Sequence, residues 1–219
     1  MYETGEIIGY DVDQDGSRLN IAFPGKNLIQ LVAEKRARAC TVWIDDGRAI
    51  TADQRKKAYA TIADIAVYMG ELPEVTKEWL KYLHIARTGS RYFSLSDCSR
   101  DTARAYISTM MDLVLEWGIP LGDPGVERAD DTERYLWSCL QYRKCAVCGR
   151  PGEIHHVDAI GMGRDRRTVD DSRHRKICLC RGHHTESHKI GQPEFMEKYH
   201  VHGIIYQEKK GGENGGIIV

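Results

Sequence analysis

Two short pairs of metal-binding residue types stand in the last third of the 219-residue sequence: Cys145-Ala-Val-Cys148 and Cys180-Arg-Gly-His183, with 31 residues between them. Thiolates and an imidazole in closely spaced pairs suit a tetrahedral zinc ion, because each pair can bite from one tight turn. A single cysteine is more often a small buried hydrophobe, but two pairs at this spacing are not explained that way. Cys178 competes with Cys180, since in an extended segment residues two apart project from the same face. His155-His156 lies between the pairs, and His183-His184 and His188 close the run. On a helix His184 and His188 share a face, while His183 is turned about 100° away, so two separate metals fit sterically. His84, His200 and His202 lack such neighbours and read as ordinary core or surface histidines.

These residues occupy the basic part of the chain. Residues 1–133 carry 16 Lys and Arg against 22 Asp and Glu, whereas 134–210 carry 15 against 9 and hold eight of the nine histidines. A basic segment is the expected phosphate binder. Glu3, Glu6 and Asp11 interrupt any apolar run near Met1, and no stretch approaches the roughly 20 apolar residues of a membrane span. Seven cysteines without a secretory signal point to reduced thiols or metal ligands. The expectation is a cytoplasmic protein without a membrane partner.

The positioning elements can be sketched from periodicity and punctuation. Two strands around Ile7-Ile8-Tyr10 and 19–23 flank the turn residues Asp13-Gln14-Asp15-Gly16, followed by a helix over 27–36 and a strand over 40–44. Thr51 with Gln54 forms a capping box, and Ala58, Ile62, Ile65, Ala66 and Met69 continue at helical spacing. Further helices are expected over 73–83 and after Ser99, where Ala103, Ile107, Met110, Met111 and Val114 share a face. Trp117-Gly118-Ile119-Pro120 ends the latter. A last helix over 132–142 leads into the cysteine-rich part. The expected fold class is α+β: a small α/β plus helical domain over 1–121, a linker over 122–131, a zinc-containing module over 132–208 and a disordered tail over 209–219.

The segment 145–190 resembles HNH endonucleases, which have a ββα-metal fold. By position, the resemblance implies that His155, His184 and His188 are ligands of a catalytic divalent cation such as Mg2+ or Mn2+. His156 is then the general base, and Cys145, Cys148, Cys180 and His183 hold a structural Zn2+. Because His155 and His156 are adjacent, their roles could be exchanged. The implied reaction is phosphodiester hydrolysis, which needs a base with a pKa near neutrality and a cation on the scissile phosphate. Two departures from the family pattern are present. The second zinc pair is Cys-x-x-His where many relatives have Cys-x-x-Cys. No asparagine precedes the helix, and His174 or Arg175 stands near its place, so the support of that loop is open. Arg164, Arg166, Arg167, Arg173 and Arg175 crowd the loop as candidate DNA phosphate contacts, although each could equally belong to a solvated charged loop.

The stretch 135–199, with Cys-x-x-Cys, Ile-His-His-Val-Asp, Gly161-Met162-Gly163-Arg164-Asp165 and Leu-Cys-Arg-Gly-His-His, is similar to phage HNH nucleases and to the Ref-type recombination nucleases. The N-terminal element order, with Thr51-Ala-Asp53-Gln54-Arg55-Lys56-Lys57 opening a helix, resembles the lambda NinB (Orf) recombination family, which implies single-stranded DNA binding by residues 1–121. The implied partners are DNA, single-stranded or branched, and phage or host recombination proteins, in the cytoplasm of a phage-infected or lysogenic bacterial cell. The expected function is a metal-dependent DNA endonuclease acting in phage recombination or replication. The alternatives are a non-catalytic zinc-containing DNA-binding mediator and a metal-stabilised interaction protein without DNA affinity. The four histidines outside the zinc set separate these readings, since a purely structural site has no use for them.

Overall fold

A computed structural model describes residues 5–13, 16–24, 27–36, 42, 47–158 and 172–207. The expected strand over 40–44, the motif at 161–165, Arg164, Arg166, Arg167 and the tail over 209–219 lie outside the described residues. The fold class is α+β, in two compact units, Met1–Asp46 and Gly47–Val219.

In the first unit β1 (Glu6–Asp13) and β2 (Gly16–Ala22) form an antiparallel hairpin, with Tyr10 opposite Leu19 and a register shift between Ile7 and Gly9. Helix α1 (Asn27–Lys35) follows.

The second unit begins with α2 (Ala52–Met69). The capping box is formed as the sequence indicates: Thr51 accepts from the Gln54 N–H, and the Gln54 side chain accepts from the Thr51 N–H. Helix α3 (Pro73–Thr88) and helix α4 (Arg100–Trp117) follow, and α4 ends on Gly118 at φ 69°. That left-handed conformation costs glycine nothing and lets the cap N–H satisfy the Val114 carbonyl. Short α5 (Gly125–Arg128) and α6 (Thr132–Gln141) lead to a three-stranded antiparallel sheet. Its order is β3 (Glu153–His156), β4 (Arg175–Leu179), β5 (Ile204–Ile205), with α7 (Arg181–Ile190) and α8 (Gln192–Tyr199) between the last two strands in sequence.

One buried core runs from Ile50 to Tyr206. Ala58, Ile62 and Ile65 of α2 and Ala103, Ile107 and Met110 of α4 belong to it, as do Leu136 and Leu140 of α6, Ile177 and Leu179 of β4, and Phe195 of α8. Residues 122–131 lie within this unit. Arg128 pairs with Asp64 at 3.1 Å and Asp123 at 2.8 Å, the Gln54 amide donates to Asp130, and Lys57 donates to the Ala129 carbonyl. Between α4 and α6, Asp112 accepts from Ser138 at 2.6 Å and also binds Arg134. Burial raises the pKa of Asp112 against the pull of Arg134. No helix of the described residues is long and apolar enough to cross a membrane.

Candidate metal centres

Two tight turns bring the first four ligands together. In the first, the Gly149 N–H donates to the Cys145 carbonyl at 2.8 Å and the Cys145 N–H to the Arg150 carbonyl at 2.7 Å, with Gly149 at φ 67°. Gly152 then passes so close to β4 that an added Cβ would meet the Leu179 backbone at 2.9 Å. The Ala146 N–H donates to the Cys178 carbonyl at 2.9 Å, which locks this turn to the second, where β4 gives way to α7. Cys180 caps α7 and His183 lies in its first turn.

The donor atoms of Cys145, Cys148, Cys180 and His183 lie within 4.8 Å of one another. The Cys148 and Cys180 sulfurs are 3.8 Å apart, and His183 Nδ1 lies 3.3 Å from the Cys145 sulfur and 3.4 Å from that of Cys180. Zn–S bonds of about 2.3 Å and Zn–N bonds of about 2.0–2.1 Å at tetrahedral angles require edges of about 3.8 Å and about 3.5 Å. The set therefore fits zinc in both size and donor chemistry. Burial pushes the Cys145 thiol up to about 12. At Cys148 burial works in the same direction, but hydrogen bonds from Arg150 outweigh it and the thiol pKa falls. Cys178 stays out of the set: it is fully buried, and burial holds its thiol at about 12.

The second cluster is His155, His184 and His188, whose donor nitrogens also lie within 4.8 Å of one another. His155 sits on β3, and the other two stand one turn apart on α7, with ring centroids separated by 4.6, 5.2 and 4.9 Å. Three imidazoles suit a divalent transition metal and leave coordination positions open for oxygen ligands. Burial, then the neighbouring His184 and His188, lower the pKa of His155 to about 4, so the ring is neutral at pH 7 and its lone pair is free to ligate. His183 faces the other way, its ring packed edge-on against Tyr199 at 5.3 Å. Tyr199 in turn donates to Glu186, which also holds Lys198 at 2.6 Å.

His156 is outside the three-histidine cluster. It is the last residue of β3, directly across from Lys176. Arg175, expected at phosphate, is exposed and pairs with Asp158: Nη2 donates at 2.7 Å, Nε at 3.1 Å and the backbone N–H at 2.7 Å. This bond joins Asp158, two residues past β3, to the first residue of β4. Arg173 is exposed, and His174 Nδ1 is buried without a hydrogen-bond partner. Gln192, which spacing did not single out, brings its side-chain amide against His155 Nε2. A glutamine 37 residues away in sequence carries no motif signal; only the helix break at Gly191 places it there.

A family model described as "Putative HNHc nuclease" matches residues 24–210 of the chain. No curated protein and no solved structure matches it.

Proposed function

This chain belongs to the HNHc nuclease family, and on that premise we propose that it is a metal-dependent DNA endonuclease whose site is built on His155, His156, His184 and His188. One observation carries the reading: His155 from β3 meets His184 and His188 from α7 beside a separate Cys3His set, so the chain offers two distinct metal centres. A structural zinc needs only the second.

In this reading His155, His184 and His188 would present imidazole nitrogens to a divalent cation such as Mg2+ or Mn2+. The bound cation supplies Lewis acidity at the scissile phosphate and its leaving oxygen. His156 would take a proton from the attacking water as the water oxygen bonds to phosphorus and the P–O bond to the leaving oxygen breaks, that oxygen taking a proton from solvent water. Cys145, Cys148, Cys180 and His183 hold the zinc that keeps β3, β4 and α7 in place. Arg173, together with Arg164, Arg166 and Arg167, contacts DNA phosphates, and Arg175 supports their loop through Asp158.

The functional division we propose keeps 132–208 as the nuclease module and 1–121 as the part that selects DNA, single-stranded or branched, with 122–131 joining them. The motifs of 135–199 and the N-terminal element order, read as resembling Ref-type nucleases and the NinB family, are the ground on which we propose a role in phage recombination or replication, in the cytoplasm of the infected cell.

The test is nicking of supercoiled plasmid with magnesium, with manganese and with EDTA. His156→Ala should cut the rate by roughly 10²- to 10⁴-fold, the usual worth of a general base, with zinc content and DNA affinity retained. Added divalent ion should partly restore His184→Ala or His188→Ala but not His156→Ala. Metal rescue of His156→Ala with none for His155→Ala would exchange the roles of the adjacent pair. Full activity in both would place cleavage outside these histidines, and no metal-dependent nicking by zinc-loaded wild type would leave the non-catalytic DNA-binding mediator as the function.

A further inference from the structure

We propose that Gln192 is a positioning residue for the catalytic cation, fixing His155 in the tautomer that carries its proton on Nε2 and turns Nδ1 toward His184 and His188. The inference rests on the reading of these three histidines as a metal site.

The contact is between the Gln192 amide nitrogen and His155 Nε2, and which end of an amide is oxygen and which nitrogen is an assignment made from the surrounding hydrogen bonds. A neutral imidazole has one N–H donor and one lone pair, so whatever occupies Nε2 decides which nitrogen can ligate. The amide exchanges its oxygen and nitrogen ends by a half-turn, and with the oxygen inward it accepts the Nε2 proton and leaves the Nδ1 lone pair to a metal. Metal-binding histidines are commonly held in this way by an acceptor on the outer nitrogen. Glutamine does this without adding a negative charge, so the cation keeps its full attraction for phosphate.

The position of Gln192 is built, not incidental. Gly191, at φ 90°, ends α7 and begins α8 in a single residue, a conformation that L side chains rarely adopt. Helix α8 is then anchored by the fully buried Phe195 and by the Lys198 and Tyr199 contacts to Glu186 of α7. The helix that presents His184 and His188 thus also fixes the amide that orients their partner on β3.

The experiment reads the tautomer of His155 directly, by long-range 15N–1H NMR of zinc-loaded protein without catalytic ion, alongside calorimetric titration with Mn2+. Wild type should show the proton on Nε2. Gln192→Ala should give a tautomer mixture and bind Mn2+ about 10- to 100-fold more weakly, the usual cost of losing such a partner, with zinc content and Tm unchanged. Gln192→Glu, which still accepts the proton, should restore the single tautomer. A wild-type proton on Nδ1, or an unchanged tautomer in Gln192→Ala, would overturn the proposal. So would weakened binding in both variants with the tautomer intact, which would put the amide in the ion's own coordination shell. Because neither readout uses cleavage, a protein that shows the expected tautomer and ion binding but never nicks DNA would refute the nuclease reading alone.

Discussion

Two buried histidines, one in the helical part and one in the sheet, have the same pKa direction and different surroundings. His84 on α3 is 1% exposed, and burial lowers its pKa to about 4. Its Nδ1 meets the Thr109 hydroxyl at 2.7 Å, and its ring lies edge-on between Phe93 and Tyr106. His155 is 4% exposed with a pKa of about 4 from the same cause, but its neighbours are His184 and His188. A depressed histidine is therefore no site by itself. What marks a site is a second and third imidazole that share one small space with the first. His84 is satisfied by the Thr109 hydroxyl, whereas His155 is gathered with two further residues of metal-ligating type.

The largest effect that would sharpen this contrast is at the zinc set. Cys145→Ser or Cys148→Ser should unfold β3, β4 and α7, because the binding energy of structural zinc, roughly 10–16 kcal/mol in small zinc modules, acts there as folding energy. Zinc should copurify with wild type and be absent from the variants. In amide exchange the loss of protection should concentrate in 145–199, while α2 and α4 keep theirs through Ala58, Ile62, Ile107 and Met110. Metal-free wild type with full protection over 145–199 would remove the structural zinc and, with it, the contrast.

A smaller effect separates His84 from the site histidines. Its folded pKa of about 4 lies below the ordinary 6.5, so the folded state binds fewer protons than the unfolded state and stability falls as pH drops from 6.5 toward 4. The contribution is complete above pH 6.5, and about 2 kcal/mol of it should be gone by pH 5. Urea unfolding of wild type and His84→Gln at pH 7 and pH 5, both zinc-loaded, isolates it, since the other groups cancel in the difference. Equal pH sensitivity in the two proteins would mean that His84 gains its proton without cost.

Most of what is local was legible in the sequence. The capping box at Thr51, the glycine cap at Gly118, and the two ligand pairs depend on neighbours within a few residues, so spacing states them. The pairing of His184 with His188 follows from helical repeat alone. The contacts of 122–131 were not legible: glycines, prolines and acids are the composition of a connector, yet Asp123 and Asp130 are engaged by Arg128, Gln54 and Arg104. Nor does periodicity announce the break at Gly191, which separates α7 from α8 and brings Gln192 to His155. Arg175 illustrates the same limit. Its type suggested phosphate, and only the fold brings Asp158 beside it.

The smallest effect concerns that pair, and it compares two arginines. Arg128 has a side chain only 9% exposed and is held by Asp64 and Asp123, whereas the Arg175 side chain is 57% exposed and, among the described residues, is held by Asp158. Exposed ion pairs contribute little to stability, because solvent screens them and two side chains must be ordered. Asp64→Ala should therefore lower Tm clearly, since it leaves a buried guanidinium short of a partner. Asp158→Ala should leave Tm nearly unchanged. Its consequence should instead be local, because the same carboxylate accepts the Arg175 backbone N–H. Hydrogen exchange at that amide should speed up in Asp158→Ala and stay slow in Asp158→Asn, whose amide oxygen can still accept. If the pair supports the loop for catalysis, plasmid nicking should weaken in Asp158→Ala mainly through KM, with Asp158→Asn closer to wild type. A fall in Tm as large as that of Asp64→Ala would show Asp158 to be a structural anchor of the sheet. Unaltered exchange and nicking in Asp158→Ala would leave the loop supported by something other than this bond.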